Sequence, residues 1–388
     1  MPAIMPSSTP RSPPGGAALD WSALLAWYDR ARRCLPWRAG PGETADPYRV
    51  WLSEVMLQQT TVAAVIPYFV RFTQRFPTLA TLAVAPEEEV LRLWAGLGYY
   101  ARARNLHRAA RALAASGAFP RTQAALRQLP GIGPYTAAAI AAIAFGVPGL
   151  AVDGNVARVL ARLLAIMTPL PGAMAEIVGA AENLAEATAF RARPGDATQA
   201  LFDLGAGICV KSAPRCPDCP LQDGCEARRR GLASALPRRA AKAPRPERFG
   251  AQFWLTDAQG AVLLRRRPER GLLAGMVELP GTAWREGRAW AEAEALATAP
   301  LKAEWRKIGA VRHVFTHFVV SLDVYVGAVA AFSAADLGGF ARPAAALAEE
   351  ALPSVMRKCV ALALSAGAAP RPGRASRPGT GRMPAVRG

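Results

Sequence analysis

The chain has 388 residues, 52% of them hydrophobic, which excludes a wholly disordered protein and allows two or three domains with real cores. Its formal net charge of +18 favours a polyanionic partner, through attraction to phosphates and release of their counterions, although only five of the 47 basic residues are lysine, which also reflects an arginine-rich composition. No apolar run reaches the roughly 20 residues that span a bilayer. The Pro-, Ser- and Gly-rich start lacks the apolar core of a secretory signal, so the chain reads as cytoplasmic and nucleoid-associated, with its six cysteines more suited to metal ligation than to disulfides.

In chain order, residues 1–18 read as a disordered tail. From 19 to 236 the pattern is helical throughout. Leu24, Trp27 and Tyr28 begin one amphipathic stripe. Trp51, Val55, Val62, Ile66 and Phe69 mark a second, which Pro67 should break, and Val90, Leu93 and Trp94 lead a third. Ala137 to Phe145 is an almost unbroken apolar run, the mark of a buried helix. Residues 237–249 are basic and proline-rich and read as a semi-rigid linker. Beyond it the periodicity moves to two: Phe253–Leu255, Val262–Leu264 and Phe318–Val326 read as strands, with a helix near Ala289–Ala297 and another near the end. Residues 366–388, with five Arg and no acid, form a second disordered tail. The expected fold is mainly α: a helical domain followed by a smaller α+β domain over 250–365, with no internal repeat.

Cys209, Cys216, Cys219 and Cys225 are spaced C-x6-C-x2-C-x5-C. Four thiolates on one short loop suit a tetrahedral zinc or a cubane iron–sulfur cluster, and spacing alone does not separate the two. Lys211 and Arg215 between them are placed to meet phosphate. Cys34 and Cys359 read as packed thiols in helical stretches.

Leu129-Pro-Gly-Ile-Gly-Pro-Tyr-Thr136 lies between two helical patterns. Gly131 and Gly133 permit a tight turn, and Pro134 takes a first-turn position, so the turn amides and helix start form a ready anion site. Glu54 sits in the mostly apolar stretch Trp51–Leu57. A carboxylate there loses hydration, its pKa rises, and it suits a general acid; taken alone it reads first as a partly exposed helix residue. Asp153, about 20 residues past the hairpin, alone reads as a helix N-cap. Together they fit cleavage of a glycosidic bond, one acid protonating the leaving base and one carboxylate stabilising the cationic sugar.

Trp51-Leu-Ser-Glu-Val-Met-Leu-Gln-Gln-Thr60, Gly96-Leu-Gly-Tyr-Tyr-Ala-Arg-Ala-Arg-Asn105 and Val152-Asp-Gly-Asn-Val156, with the hairpin and the cysteine loop, resemble the MutY family of the endonuclease III-like helix-hairpin-helix glycosylases. The resemblance covers about Leu19 to Cys225, and more weakly to about residue 362. It implies a [4Fe–4S] cluster on the four cysteines and a hairpin that grips DNA backbone without reading sequence. It implies that Glu54 protonates adenine and Asp153 stabilises the sugar, with Tyr135 and Asn155 as helpers, on a nucleotide flipped out of the duplex. Gln59, Thr60 and Tyr99 match residues that wedge into the duplex around 8-oxoguanine. The implied activity is that of a monomeric adenine glycosylase on double-stranded DNA carrying A:8-oxoguanine or A:G mispairs. A lyase needs an amine for a Schiff base. Endonuclease III-like relatives have a Lys where this chain has Tyr135, and no Lys precedes Lys211, so the chain should be monofunctional.

The C-terminal stretch, with Gly271–Gly281 and His313–Phe318, resembles the Nudix fold of MutT. Glu286, Glu292 and Glu294 lack the paired spacing of the magnesium-binding helix, so this domain reads as a binding domain. Phe315-Thr316-His317 stands where the MutY family uses F-S-H to recognise 8-oxoguanine. Two other readings remain: an endonuclease III-like lyase, which Tyr135 disfavours, and a non-catalytic iron–sulfur DNA-binding protein, which Glu54 and Asp153 disfavour.

Overall fold

The computed structural model describes residues 19–241, 244–268 and 271–367. The first expected tail, and all but two residues of the second, lie outside the described residues. The chain forms two compact units. One holds the residues through Leu93 and those from Arg102 to 241. The other holds the segment Trp94–Ala101 with the residues from 244 onward.

Among the described residues thirteen α-helices come first: α1 (Trp21–Ala31), α2 (Pro47–Leu57), α3 (Val62–Arg75), α4 (Leu79–Val84), α5 (Glu87–Trp94), α6 (Tyr100–Ser116), α7 (Gln123–Leu126), α8 (Pro134–Phe145), α9 (Gly154–Leu163), α10 (Met174–Leu184), α11 (Thr188–Ala192), α12 (Pro194–Gly207) and α13 (Glu226–Arg229). Most of their starts are written locally. Asp46 caps α2 with Pro47 in its first turn, Thr61 caps α3, and Asp153 caps α9 through the amides of Asn155 and Val156. Gly146 ends α8 in the left-handed conformation that a residue with a side chain resists. Pro67 does not break its stripe. It lies inside α3, whose face of Val65, Phe69 and Phe72 is buried, and the break falls earlier, at the turn before the Thr61 cap. Burial of that face offsets the one backbone hydrogen bond a proline removes.

α2 and α8 are apolar nearly all round and pack on each other, and α8 packs on α12. A helix without a polar face must be surrounded, so these elements form the interior and everything they carry inward leaves water.

The second unit is a mixed sheet with strand order β3-β2-β1-β6-β5. Its strands are β1 (Glu247–Thr256), β2 (Ala261–Arg266), β3 (Val277–Glu278), β4 (Arg285–Glu286), β5 (Arg306–Val314), β6 (Val319–Ala328) and β7 (Phe340–Pro343); β4 pairs with β1 and β7 with β2. β1 and β6 run parallel from Glu247↔Val319 to Thr256↔Ala328. β1 thus begins three residues inside the stretch read as linker. Of the two expected helices, α14 is short (Glu292–Leu296), and α15 (Ser354–Ser365) buries Val355, Met356, Cys359 and Val360 against the sheet core. Cys359 is therefore packed as expected. Cys34 is not: α1 ends at Ala31, and Cys34 is exposed in the loop that follows. Among the described residues no helix is long and apolar enough to cross a membrane.

Candidate active site

The start of α9, the start of α8 and one face of α2 converge with α12 on a cavity of about 710 Å³ in the helical unit, a size suited to one extruded nucleotide. Glu54, Tyr135, Asp153 and Asn155 all line it, as do Gln59 and Thr60. The two carboxylates therefore face one space.

Their environments differ. Glu54 is 5% exposed because α2 is buried on every side. Burial pushes its pKa up to about 7; the Tyr135 hydroxyl, which hydrogen bonds to it, and the Arg38 charge pull the other way, while Asp153 pushes up. Its Oε2 has no protein partner. The same burial, together with Glu54 and Asp153, holds the Tyr135 hydroxyl well above the usual phenol value, so it stays a donor. Asp153 is half-buried and fixed: Oδ1 accepts from the amides of Asn155 (2.8 Å) and Val156 (2.7 Å), and Oδ2 accepts from Asn155 Nδ2 (3.0 Å). It is both the N-cap and a cavity carboxylate; one geometry serves both.

Sequence reasoning did not single out Arg33, Trp37, Arg38, Gln199 and Phe202, which also line the cavity. Nor did it single out Arg158, which donates to Asn155 Oδ1 (2.9 Å), Gly205 O (2.7 Å) and Cys209 O (2.8 Å), tying the pocket to the cysteine loop.

Two residues matched to wedges carry strained backbone. Gln59 (φ 58°) and Tyr99 (φ 50°) are non-glycine residues in the left-handed region, and both are exposed. Arg102 steadies the Gln59 turn, donating to Val55 O (3.0 Å), Met56 O (3.1 Å), Gln58 O and Thr60 Oγ1 (3.2 Å). Of the hairpin glycines, Gly131 is required: φ is +80°, and a Cβ would lie 2.7 Å from Asn105 Cβ. Gly133 is not required by the turn, being extended at φ −88°; a Cβ there would meet open space. It precedes the uncapped start of α8, where a backbone phosphate has room to approach.

Cys209, Cys216, Cys219 and Cys225, each half-buried, ring a small cavity of about 30 Å³ with Arg162 and Arg228. Arg162 is 1% exposed and donates to Cys209 Sγ (3.2 Å), Val210 O (2.7 Å) and Leu236 O (2.9 Å). Among the described residues no three His, Cys, Asp or Glu side chains converge on a point that would hold a single ion.

In the second unit, Phe315 stacks on Phe318 (4.7 Å) and lies 5.8 Å from Trp284, anchoring the turn between β5 and β6. It leaves Thr316 and His317 exposed, with Thr316 Oγ1 3.0 Å from Tyr99 Oη. Glu294 is held by Arg285 (2.5 Å) and Glu286 lies 3.5 Å from Arg248, so these acids are committed to ion pairs.

Residues 52–179 match the model of the HhH-GPD superfamily base excision DNA repair proteins, and residues 251–362 match the NUDIX domain. The chain is 38% identical to the adenine DNA glycosylase of Mus musculus over 360 residues, covering 78% of this chain and 69% of that protein. The chain belongs to the adenine DNA glycosylase family. The Homo sapiens member is 39% identical over 362 residues, covering 78% of this chain and 66% of its own length. The chain thus spans about two thirds of the curated relatives it matches. Among solved structures, a thermostable thymine-DNA glycosylase aligns at 27% identity over 54% of this chain and 95% of its own, with TM-score 0.46. For an adenine DNA glycosylase family member, the first matched segment, apart from Trp94–Ala101, lies in the helical unit that holds the cavity, and the second lies in the sheet unit that carries Phe315–His317.

Proposed function

We propose that this chain hydrolyses the N-glycosidic bond of adenine mispaired with 8-oxoguanine or guanine in double-stranded DNA, with Glu54 as acid and Asp153 as the charge that stabilises the sugar. One observation carries the reading: a buried carboxyl with a raised pKa and a free Oε2 faces the same cavity as a fixed carboxylate. The extruded adenine takes the proton from Glu54 as the C–N bond breaks, so the bonding electrons leave on a neutral base. Positive charge grows on the sugar, and Asp153, locked by three N–H donors, meets it without reorganising. Tyr135 donates to Glu54 and sets its orientation. Water, directly or after transient attachment to Asp153, completes hydrolysis. Tyr135, where a lyase needs an amine, makes the chain monofunctional.

The four cysteines fit a [4Fe–4S] cluster: their spacing resembles that of the family's loop, and the sulfurs ring a cavity beside the Arg162 guanidinium. When bound, the cluster would tie the four cysteines of this loop to one another, while Arg158 and Arg162 of α9 hold the start of the loop by its backbone at Cys209 and Val210. Thr316 and His317, exposed at their turn, are the groups we assign to 8-oxoguanine, with Gln59, Thr60 and Tyr99 as wedges.

Single-turnover assays on an A:8-oxoguanine duplex test this. Expected are free adenine and an intact abasic strand, no borohydride-trapped adduct, and loss of adenine release with retained binding in Asp153→Asn. β-Elimination as fast as adenine release, or full activity in Asp153→Asn, would overturn it. Fresh protein should show broad charge-transfer absorbance in the visible; a colourless, zinc-loaded sample would refute the cluster.

A further inference from the structure

We propose that Asp203 is a positioning residue of this reaction, locking the Arg33 and Arg38 guanidinium groups against the cavity wall so that its cationic side is set before substrate enters. The inference rests on the function proposed above. Asp203 lies on α12, is 3% exposed, and does not itself line the cavity. Its carboxylate is saturated: Oδ1 accepts from Arg33 Nε (2.5 Å) and Arg38 Nη2 (2.8 Å), and Oδ2 accepts from the Arg33 amide (3.0 Å) and Arg38 Nη1 (2.6 Å). Both arginines line the cavity, and the Arg38 side chain is only 8% exposed.

A buried guanidinium without a partner anion is costly, so the arginine that faces Glu54 is held in place by Asp203. Position matters here. The charged or titratable groups acting on Glu54 are Tyr135 from α8, Asp153 at the start of α9, and Arg38 from the loop before α2. Arg38 opposes burial and keeps Glu54 from rising further. A displaced Arg38 would leave Glu54 a weaker acid and would present its fork wrongly to an incoming nucleotide. Misplacement of about an ångström is enough to cost on the order of 100-fold in rate.

The full chain is compared as wild type, Asp203→Asn, Asp203→Glu, Arg38→Lys and the double variants, reading single-turnover adenine release against pH, duplex affinity and Tm. Asp203→Asn should lower the rate about 100-fold, move the pH midpoint upward, and change duplex affinity less than the rate. Asp203→Glu should recover part of the rate. In the Arg38→Lys background, Asp203→Asn should add little further loss, because both changes disable one unit. A drop in Tm with unchanged rate and midpoint, or losses that multiply independently, would overturn the inference. If Asp203→Asn does not fold, Asp203→Glu serves: its rate deficit should vanish in the Arg38→Lys background, and persistence there would be contrary. No adenine release by the wild-type chain would fail the proposed function instead.

Discussion

Glu54 in the helical unit and Glu278 in the sheet unit are both carboxyls removed from water, 5% and 2% exposed, yet the fold treats them oppositely. Glu278 is met by Arg265 Nε at 2.7 Å on one oxygen and by Arg267 Nη1 on the other. Glu54 has a tyrosine on one side and no protein partner for Oε2, and its pKa rises to about 7. Burying a carboxyl with its cations makes a structural joint, and burying it without them stores a proton. On the function proposed above, the difference separates a site of chemistry from one of architecture.

The largest break in that comparison comes from removing the proton itself. Glu54→Gln should lower single-turnover adenine release by about a thousandfold or more, the scale of general acid catalysis, with duplex affinity kept; a loss under tenfold would be contrary. Glu278→Gln should act on stability instead. It leaves two arginines facing a neutral amide, and chemical denaturation should show the sheet unit weakened by about 3 kcal/mol, with the adenine release rate per folded molecule unchanged.

The same contrast predicts an opposite stability effect at Glu54. Its folded pKa, about 7, lies above the ordinary 4.5. The stability linked to its proton is therefore complete below about 4.5 and is lost as pH rises through 7. Glu54→Gln should thus be more stable than wild type at pH 8 by roughly 3 kcal/mol, with no difference in acid. Denaturation at both pH values checks the sign. Smaller still is the hairpin pair. Gly131→Ala should cost about 1–2 kcal/mol through its positive φ, whereas Gly133→Ala should leave stability within about 0.5 kcal/mol, and a Tm series would tell them apart.

Much of this was legible in the sequence. Glu54 stood out as one charge in an apolar stretch, and Asp153 followed the hairpin, so both reached the cavity as expected. The same rule points to Asp203 in Leu201-Phe-Asp-Leu204 and Arg162 in Val159-Leu-Ala-Arg-Leu163, charges that apolar neighbours force inward. They were missed because their partners, Arg38 and the cysteine loop, lie far along the chain. β1 was hidden at its start by basic, proline-rich composition, and its parallel partner β6 is some seventy residues away in sequence. The left-handed backbone of Gln59 and Tyr99 carries no glycine to announce it. Pro67 misled because propensity yields to a well-buried face.

The most direct test is the pH dependence of single-turnover adenine release on an A:8-oxoguanine duplex. The buried, protonated Glu54 predicts a rate that is flat in mild acid and falls about tenfold per pH unit above a midpoint near 7. A rate that holds level to pH 9 would contradict it.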